Sequence, residues 1–262
     1  MVIHKRSLYP IMFSAEIKAK VLKTIVDAVS ELSESIVFDI TETGIRAQSM
    51  DSSHVSLSFL HLKADGFKTY NYEKHYNIGL SLVNLLKILK CSSGEDDVLL
   101  RLQDEDKLHI EISDGSSKSE FELRLMEIDE EMLSIPPMEE CCEIKMPSAK
   151  FQKIVKNMAA MGETCVIDVK SNELKFTSIG EVIKISSIYE NKEDVSFKGD
   201  VHSTYSIRYM QMFTKATSLN KDVEVYLPDG SPMVVKYSID EFGSELLYYL
   251  APKIDDDEDE DM

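Results

Sequence analysis

Apolar positions recur along this chain at two periods. Leu22, Ile25, Val26, Val29 and Leu32 fall three and four residues apart, which places them on one face of a helix. The same spacing returns at Phe151, Ile154, Val155, Met158 and Met161, an offset of 129 residues. That offset also carries Val37, Phe38 and Ile40 onto Val166, Ile167 and Val169, and Asp39 onto Asp168. An offset of 125 carries Leu82, Leu85 and Ile88 onto Ile207, Met210 and Phe213, and Val98, Leu100 and Leu102 onto Val223, Val225 and Leu227. Self-similarity of this extent marks a duplicated domain, and the drift of four residues is one small loop difference.

The helical spacing predicts helices over residues 16–32, 80–90, 148–161 and 204–217. Alternation of apolar and polar residues predicts strands, as in Ile36–Ile40, Val55–Phe59, His109–Ser113 and Met233–Ser238. Asp104–Lys107 and Asp229–Pro232 supply the matching hairpin turns. Strands joined by short turns imply antiparallel pairing, so the expected class is α+β, with two similar domains that each pack two helices on antiparallel sheets. The expected division is an extension over 1–11, a domain over 12–125, a connector over 126–143, a second domain over 144–254 and an acidic tail over 255–262. The connector contains Pro136-Pro137, which no helix crosses. It also sets Ile128, Met132, Leu133, Ile135 and Met138 among acidic residues.

Charge complicates the picture. Lys and Arg number 29 against 47 Asp and Glu in 262 residues, a net charge of −18, which taken alone opposes binding to phosphates. Seven of the negative charges lie in 255–261, so the rest of the chain carries −11. The cations are not scattered. Lys20 and Lys23, Lys87 and Lys90, and Lys153 and Lys156 repeat an i, i+3 spacing on three predicted helices, and Arg208, Gln211 and Lys215 form a stripe on the fourth. A solvated helix face explains one such stripe; four in a duplicated unit suggest one cationic surface on an acidic molecule.

Chemistry of other kinds is not indicated. The chain carries no phosphate-binding or dinucleotide glycine loop, no zinc-protease motif and no nucleophile elbow. Its six histidines and four cysteines (Cys91, Cys141, Cys142, Cys165) lack metal-ligand spacing, and no apolar run is long enough to span a membrane. The reading is therefore not an enzyme, with no cofactor and no metal, in a reducing intracellular setting.

Four segments carry a resemblance. Gln48–Leu57, Lys87–Cys91, Phe213–Thr217 and Leu250–Ile254 closely resemble the proliferating cell nuclear antigen family, the eukaryotic-type sliding clamps of DNA replication, and Leu125–Asp129 with Leu133–Pro136 resembles that family's interdomain connector. The resemblance covers roughly residues 12–254. It implies a duplicated sliding-clamp fold that assembles into a closed trimeric ring, with helices lining the hole and double-stranded DNA passing through without sequence readout. Lys20, Lys23, Lys87, Lys90, Lys153, Lys156, Arg208 and Lys215 would then face the DNA. It implies that DNA polymerase, flap endonuclease, DNA ligase and the clamp loader bind by short peptide motifs in a groove formed by Met50, His54, Val55, Leu57, Leu133, Ile135, Pro232, Tyr249, Ala251 and Pro252. Ser206, Ala251 and Pro252 would take the motif's glutamine. Phe121 and the strand with Lys184 would join subunits, as a homotrimer, in the nucleus, serving replication, repair and translesion synthesis. The family's ubiquitin-accepting lysine falls on Ser171, beside Lys170. The inner lining departs from the family at Thr24, Ser30 and Ala160. Two further readings stay open: a checkpoint-type clamp subunit, and an acidic chaperone of basic proteins suggested by the tail.

Overall fold

The computed structural model describes residues 11–129, 133–135 and 141–253. The expected extension apart from Ile11, Met132, the double proline, Met138 and the acidic tail lie outside the described residues. The chain divides into two compact units: Met1–Gln48, Leu60–Met132 and Asp240–Ser244 form one, and Ser49–Phe59, Leu133–Ile239 and Glu245–Met262 form the other.

The first half of the chain runs β1 (Phe13–Lys18), α1 (Ala19–Val29), β2 (Ser35–Thr41), β3 (Gly44–Met50), β4 (Ser56–Lys63), β5 (Thr69–Tyr72), β6 (Tyr76–Ser81), α2 (Leu82–Leu89), β7 (Asp97–Leu102), β8 (Lys107–Ser113) and β9 (Lys118–Arg124). The second runs β10 (Cys142–Pro147), α3 (Ser148–Ala159), β11 (Thr164–Lys170), β12 (Glu173–Ile179), β13 (Lys184–Glu190), β14 (Ser196–Lys198), β15 (Val201–Ser206), α4 (Ile207–Phe213), β16 (Asp222–Leu227), β17 (Met233–Ser238) and β18 (Glu245–Leu250).

In the first unit one sheet has the order β5-β1-β7-β8-β9, and a second group runs β3-β2-β6. In the second unit one sheet has the order β13-β12-β11-β15, and another group runs β14-β10-β16-β17-β18, beside which the start of β4 is laid. Strand pairings are antiparallel throughout, as in β1 with β7 and β10 with β16. Strand burial alternates as the period-two pattern requires, for example through β7, β8 and β16. The helices bury the apolar faces read from the spacing: Leu22, Ile25, Val26 and Val29 on α1, and Phe151, Ile154, Val155 and Met158 on α3. Leu32 and Met161 lie just past these helices and are only partly covered.

The helices begin later than three of the expected boundaries, for one shared reason. Residues 16–18 complete β1, residues 80–81 complete β6 and residues 204–206 complete β15, and each strand turns directly into its helix. α1 also ends sooner, at Val29, and α4 ends at Phe213, followed by a 3₁₀ segment over Thr214–Leu219. At every junction the first helical N–H donates to a carbonyl just before the neighbouring strand: Ala19 to Asp96 at 2.9 Å, Leu82 to Glu34 at 2.9 Å, Ser148 to Lys221 at 2.8 Å and Ile207 to Glu163 at 3.0 Å. A long-range partner thus satisfies the donor that a side-chain cap ordinarily would. Only α2 adds a cap, with the Ser81 hydroxyl accepting from Asn84 N–H at 3.3 Å. The internal duplication is therefore fourfold at the level of a strand–helix unit. The connector also ends sooner than expected, since Cys142 and Glu143 already pair in β10 with Leu227 and Tyr226.

Candidate functional site

The shared junction fixes where each cation points. Lys20 and Lys23 are the second and fifth residues from their junction and Arg208 is the second from its own, whereas Lys215 lies beyond α4 in a 3₁₀ segment over Thr214–Leu219 and is outside this helical count. Lys87 and Lys90, like Lys153 and Lys156, are the sixth and ninth. At about 100° per residue, these four positions fall within a sector of roughly 100°, opposite the buried stripe. Within the first unit α1 packs beside α2, and within the second α3 packs beside α4. Each unit thus presents two cationic stripes of one orientation. Seven of the eight side chains are exposed and Lys23 is half-buried.

Their surroundings separate them from the other cations of the molecule. On the strands, Arg46 pairs with Asp39 at 2.7 Å, Arg101 with Glu111 at 2.9 Å, Lys107 with Glu122 at 2.6 Å, and Lys118 with Glu120 at 2.6 Å. Lys18, which the expected helix had placed near the stripe, ends β1 and pairs with Asp97 at 3.0 Å. By contrast, Lys20, Lys23, Lys87, Lys90, Lys153, Lys156 and Arg208 form no ion pair with a described residue. Arg208 rests over the Tyr209 ring at 5.8 Å, and Lys87 reaches the Asn84 amide oxygen at 3.4 Å. Unneutralised cations repeated on one face are the chemistry that a polyanion requires.

A second site lies wholly in the second unit. The turn Asp51-Ser-Ser-His-Val55 is held by the Asp51 carboxylate, 8% exposed, which accepts from the N–H groups of Ser56 at 2.7 Å, Val55 at 2.8 Å and Ser53 at 3.0 Å. The Tyr209 hydroxyl donates to it at 2.7 Å. His54 takes a left-handed conformation, φ 57°, and projects into solvent. The chain after β18 closes against this turn: Ala251 N–H donates to Val55 O at 3.0 Å, and Lys253 N–H to Thr204 O at 2.8 Å. The Ser56 hydroxyl donates to Tyr249 O at 3.0 Å, and Val234 on β17 stands opposite Tyr249.

These bonds bring Val55, Tyr249, Ala251 and Pro252 to one place, close to the end of β15, where Ser206 makes no cap hydrogen bond. Pro232 adjoins Met233, which pairs with Leu250. Met50, Val55, Leu57, Tyr249, Ala251 and Pro252 are all half-buried, an apolar surface neither sealed nor fully solvated. Leu133, 49% exposed, and the half-buried Ile135 belong to the same unit, in the connector. Sequence reasoning missed Asp51 and Tyr209 as the residues that shape this turn, although an Asp two residues before a serine N–H is an Asx-turn signal.

Burial raises the Asp51 pKa, but the Ser56 N–H, the Tyr209 hydroxyl and the other two amides outweigh it, so the net value lies below the ordinary 3.8. The stability this adds is complete above the unfolded value and is lost as pH falls through the lowered one. Asp51→Asn should cost about 1–3 kcal/mol at neutral pH, since an amide cannot accept from four donors. Urea unfolding at pH 7 and near pH 3 checks it: the difference between the two proteins narrows in acid, and an equal difference at both pH values rules the linkage out.

The third feature is two strand edges that have no partner among the described residues. In the first unit β9 bonds there only to β8, and its Phe121 is half-buried. In the second, β13 bonds there only to β12, with Lys184 exposed at its start. Beside it Ile179, Val182, Ile183 and Ile188 are 59%, 93%, 54% and 55% exposed. An apolar edge of this kind in a folded protein is normally covered by another chain. Lys170, at the end of β11, is exposed and 3.5 Å from Asp168, followed by Ser171 at φ 55° in the hairpin turn.

Comparison with known proteins agrees with this architecture. The family model described as proliferating cell nuclear antigen, N-terminal domain, matches residues 12–132, and that of the C-terminal domain matches residues 134–253. The crystal structure of proliferating cellular nuclear antigen from Entamoeba histolytica superposes with a TM-score of 0.88 at 26% identity, covering 94% of this chain and 100% of that one.

Proposed function

The chain belongs to the proliferating cell nuclear antigen family and has its duplicated sliding-clamp fold, and on that premise we propose how its surfaces do a clamp's work. It is a DNA sliding clamp, a processivity factor in replication. The observation that carries the residue-level reading is that Lys20, Lys23, Lys87, Lys90, Lys153, Lys156 and Arg208 stand at equivalent positions from four equivalent junctions and form no ion pair with a described residue. Such a lining attracts the phosphates of any sequence equally, and contacts to phosphate position a duplex without reading it. Mobile lysine contacts exchange from one phosphate to the next, so the duplex is retained and still slides. An acidic chaperone has no use for a bare cationic face.

The β9 edge of one subunit meets the β13 edge of the next by strand addition, which covers Ile179, Val182, Ile183 and Ile188 and closes three subunits into a homotrimeric ring. Client proteins, among them DNA polymerase, flap endonuclease, DNA ligase and the clamp loader, dock a short peptide with aromatic anchors on Val55, Leu57, Tyr249 and Pro252 beneath Leu133 and Ile135. Ser206 and the Ala251-Pro252 backbone receive its glutamine. We assign the chain no reaction of its own, and place its work on chromosomal DNA in the nucleus.

Loading onto a nicked circular DNA with a clamp loader and ATP tests the tether directly. The protein should remain on the circle through gel filtration and run off once the DNA is cut to a linear form. Retention on both forms, or on neither, defeats the topological mechanism.

A further inference from the structure

One residue within the cationic stripes has the opposite sign. Counted from its junction, Asp27 is the ninth residue of α1, the position that Lys90 holds at the end of α2 and Lys156 on α3. At about 100° per residue it stands between Lys23 and Lys20 in angle, opposite the buried Leu22, Ile25 and Val29. The equivalent positions of α2, α3 and α4 hold lysine, arginine, glutamine or apolar residues. Among the described residues Asp27 is thus the single carboxylate at these positions.

Nothing in the local structure rewards an acid there. Asp27 lies in the last turn of α1, where the helix dipole favours a cation. Lys87 and Lys156 occupy the last turns of α2 and α3, and α1 carries no basic residue in its own. Aspartate is also a weak helix former. Its carboxylate forms no ion pair with a described residue, although Lys23 stands one turn before it. The Ser30 hydroxyl donates at 2.9 Å to the Asp27 backbone carbonyl, not to the carboxylate. A half-buried residue that goes against helix dipole and propensity together, with no local compensation, points to a choice set by function.

What the carboxylate would do follows from the clamp reading, on which this inference rests. A duplex held by cations alone sits in an electrostatic well at each phosphate, and deeper wells slow its passage from one to the next. We propose that Asp27 limits the grip of the lining: its carboxylate repels the phosphates that Lys20 and Lys23 attract. α1 therefore holds the duplex loosely, while the stripes of α2, α3 and α4 retain it. The ligand it acts on is the phosphate backbone of any duplex, and its effect is on mobility, not on sequence.

Single-molecule tracking of rings loaded onto linear DNA with blocked ends tests this in the full chain. The unchanged protein should stay on the DNA and diffuse along it; its loss from blocked DNA overturns the clamp reading and this inference with it. Asp27→Lys should diffuse about fivefold more slowly, and its salt slope of DNA affinity should steepen by up to about three, one for each subunit. Asp27→Asn, nearly the same size, should slow diffusion about twofold by removing the repulsion alone. Neither variant should melt below the unchanged protein, since each removes an acid from a helix C-terminus. Glu73→Lys makes the charge change of Asp27→Lys at an exposed site in the turn between β5 and β6, and should leave diffusion as it was. Diffusion of Asp27→Asn at the unchanged rate overturns the proposal, whatever Asp27→Lys does. So does slowing by Glu73→Lys as large as that by Asp27→Lys, which would assign the effect to net charge.

Discussion

Replacing Lys20, Lys23, Lys87, Lys153 and Arg208 together by glutamate abolishes stimulation of a polymerase while the subunits still assemble. The expectation follows from what surrounds these groups. Five of the eight stripe cations, Lys20, Lys87, Lys90, Lys153 and Lys156, are exposed lysines that form no ion pair with a described residue, and reversing five charges turns an attractive lining into a repulsive one. For each cation in contact with phosphate, the slope of log affinity against log salt should fall by about one. Stability should hardly move, since exposed substitutions away from the core stay within about 0.5 kcal/mol. The control is equally specific. Lys118, Lys145 and Lys170 are already paired with Glu120, Glu224 and Asp168, so their reversal to glutamate should leave DNA retention intact. Equal effects from both sets would mean that net charge alone, and not the stripe, governs binding. Undiminished stimulation by the five-site variant would reduce the stripe to a solvated face.

The stripe was legible in the sequence because helical spacing alone puts i and i+3 on one side. Its isolation was not. Whether a lysine is neutralised depends on partners far along the chain, as with Lys18 and Asp97, and spacing carries no information on them. The strand–helix boundaries failed for the same reason. Lys18 could belong to either element by propensity, and the Ala19 N–H bond to Asp96 decides it. The duplication, by contrast, was readable residue by residue, because buried positions such as Phe151 and Ile154 must repeat wherever the same core repeats. At the groove, Gln48–Leu57 was legible through its resemblance, but Tyr209, which locks Asp51 from another element, was not. The strand with Lys184 was legible as a subunit edge only through the resemblance; that Val182 and Ile188 stand exposed beside it shows only in the sheet order and burial.

Leu133→Ala combined with Ile135→Ala weakens a client peptide by roughly 2–4 kcal/mol, about 30- to 700-fold, if both side chains are buried anchors. The connector gives the reason. Its sequence neighbours include Asp129, Glu130 and Glu131, yet it carries a large apolar side chain at Leu133 that is 49% exposed. An apolar group held at a surface amid carboxylates costs solubility unless something covers it, and the half-buried Val55, Leu57, Tyr249 and Pro252 offer a peptide its other wall. Because the lost term is apolar burial, the weakening should persist at high salt, whereas loss from the cationic stripe should shrink there. Titrating a fluorescent client peptide at two salt concentrations separates these cases. The double variant should still assemble and still be retained on circular DNA, since neither residue lies on the helices or on the β9 and β13 edges. Loss of retention together with peptide binding would place the connector in ring closure. Full peptide affinity would confine the groove to the turn after Asp51 and the chain after β18.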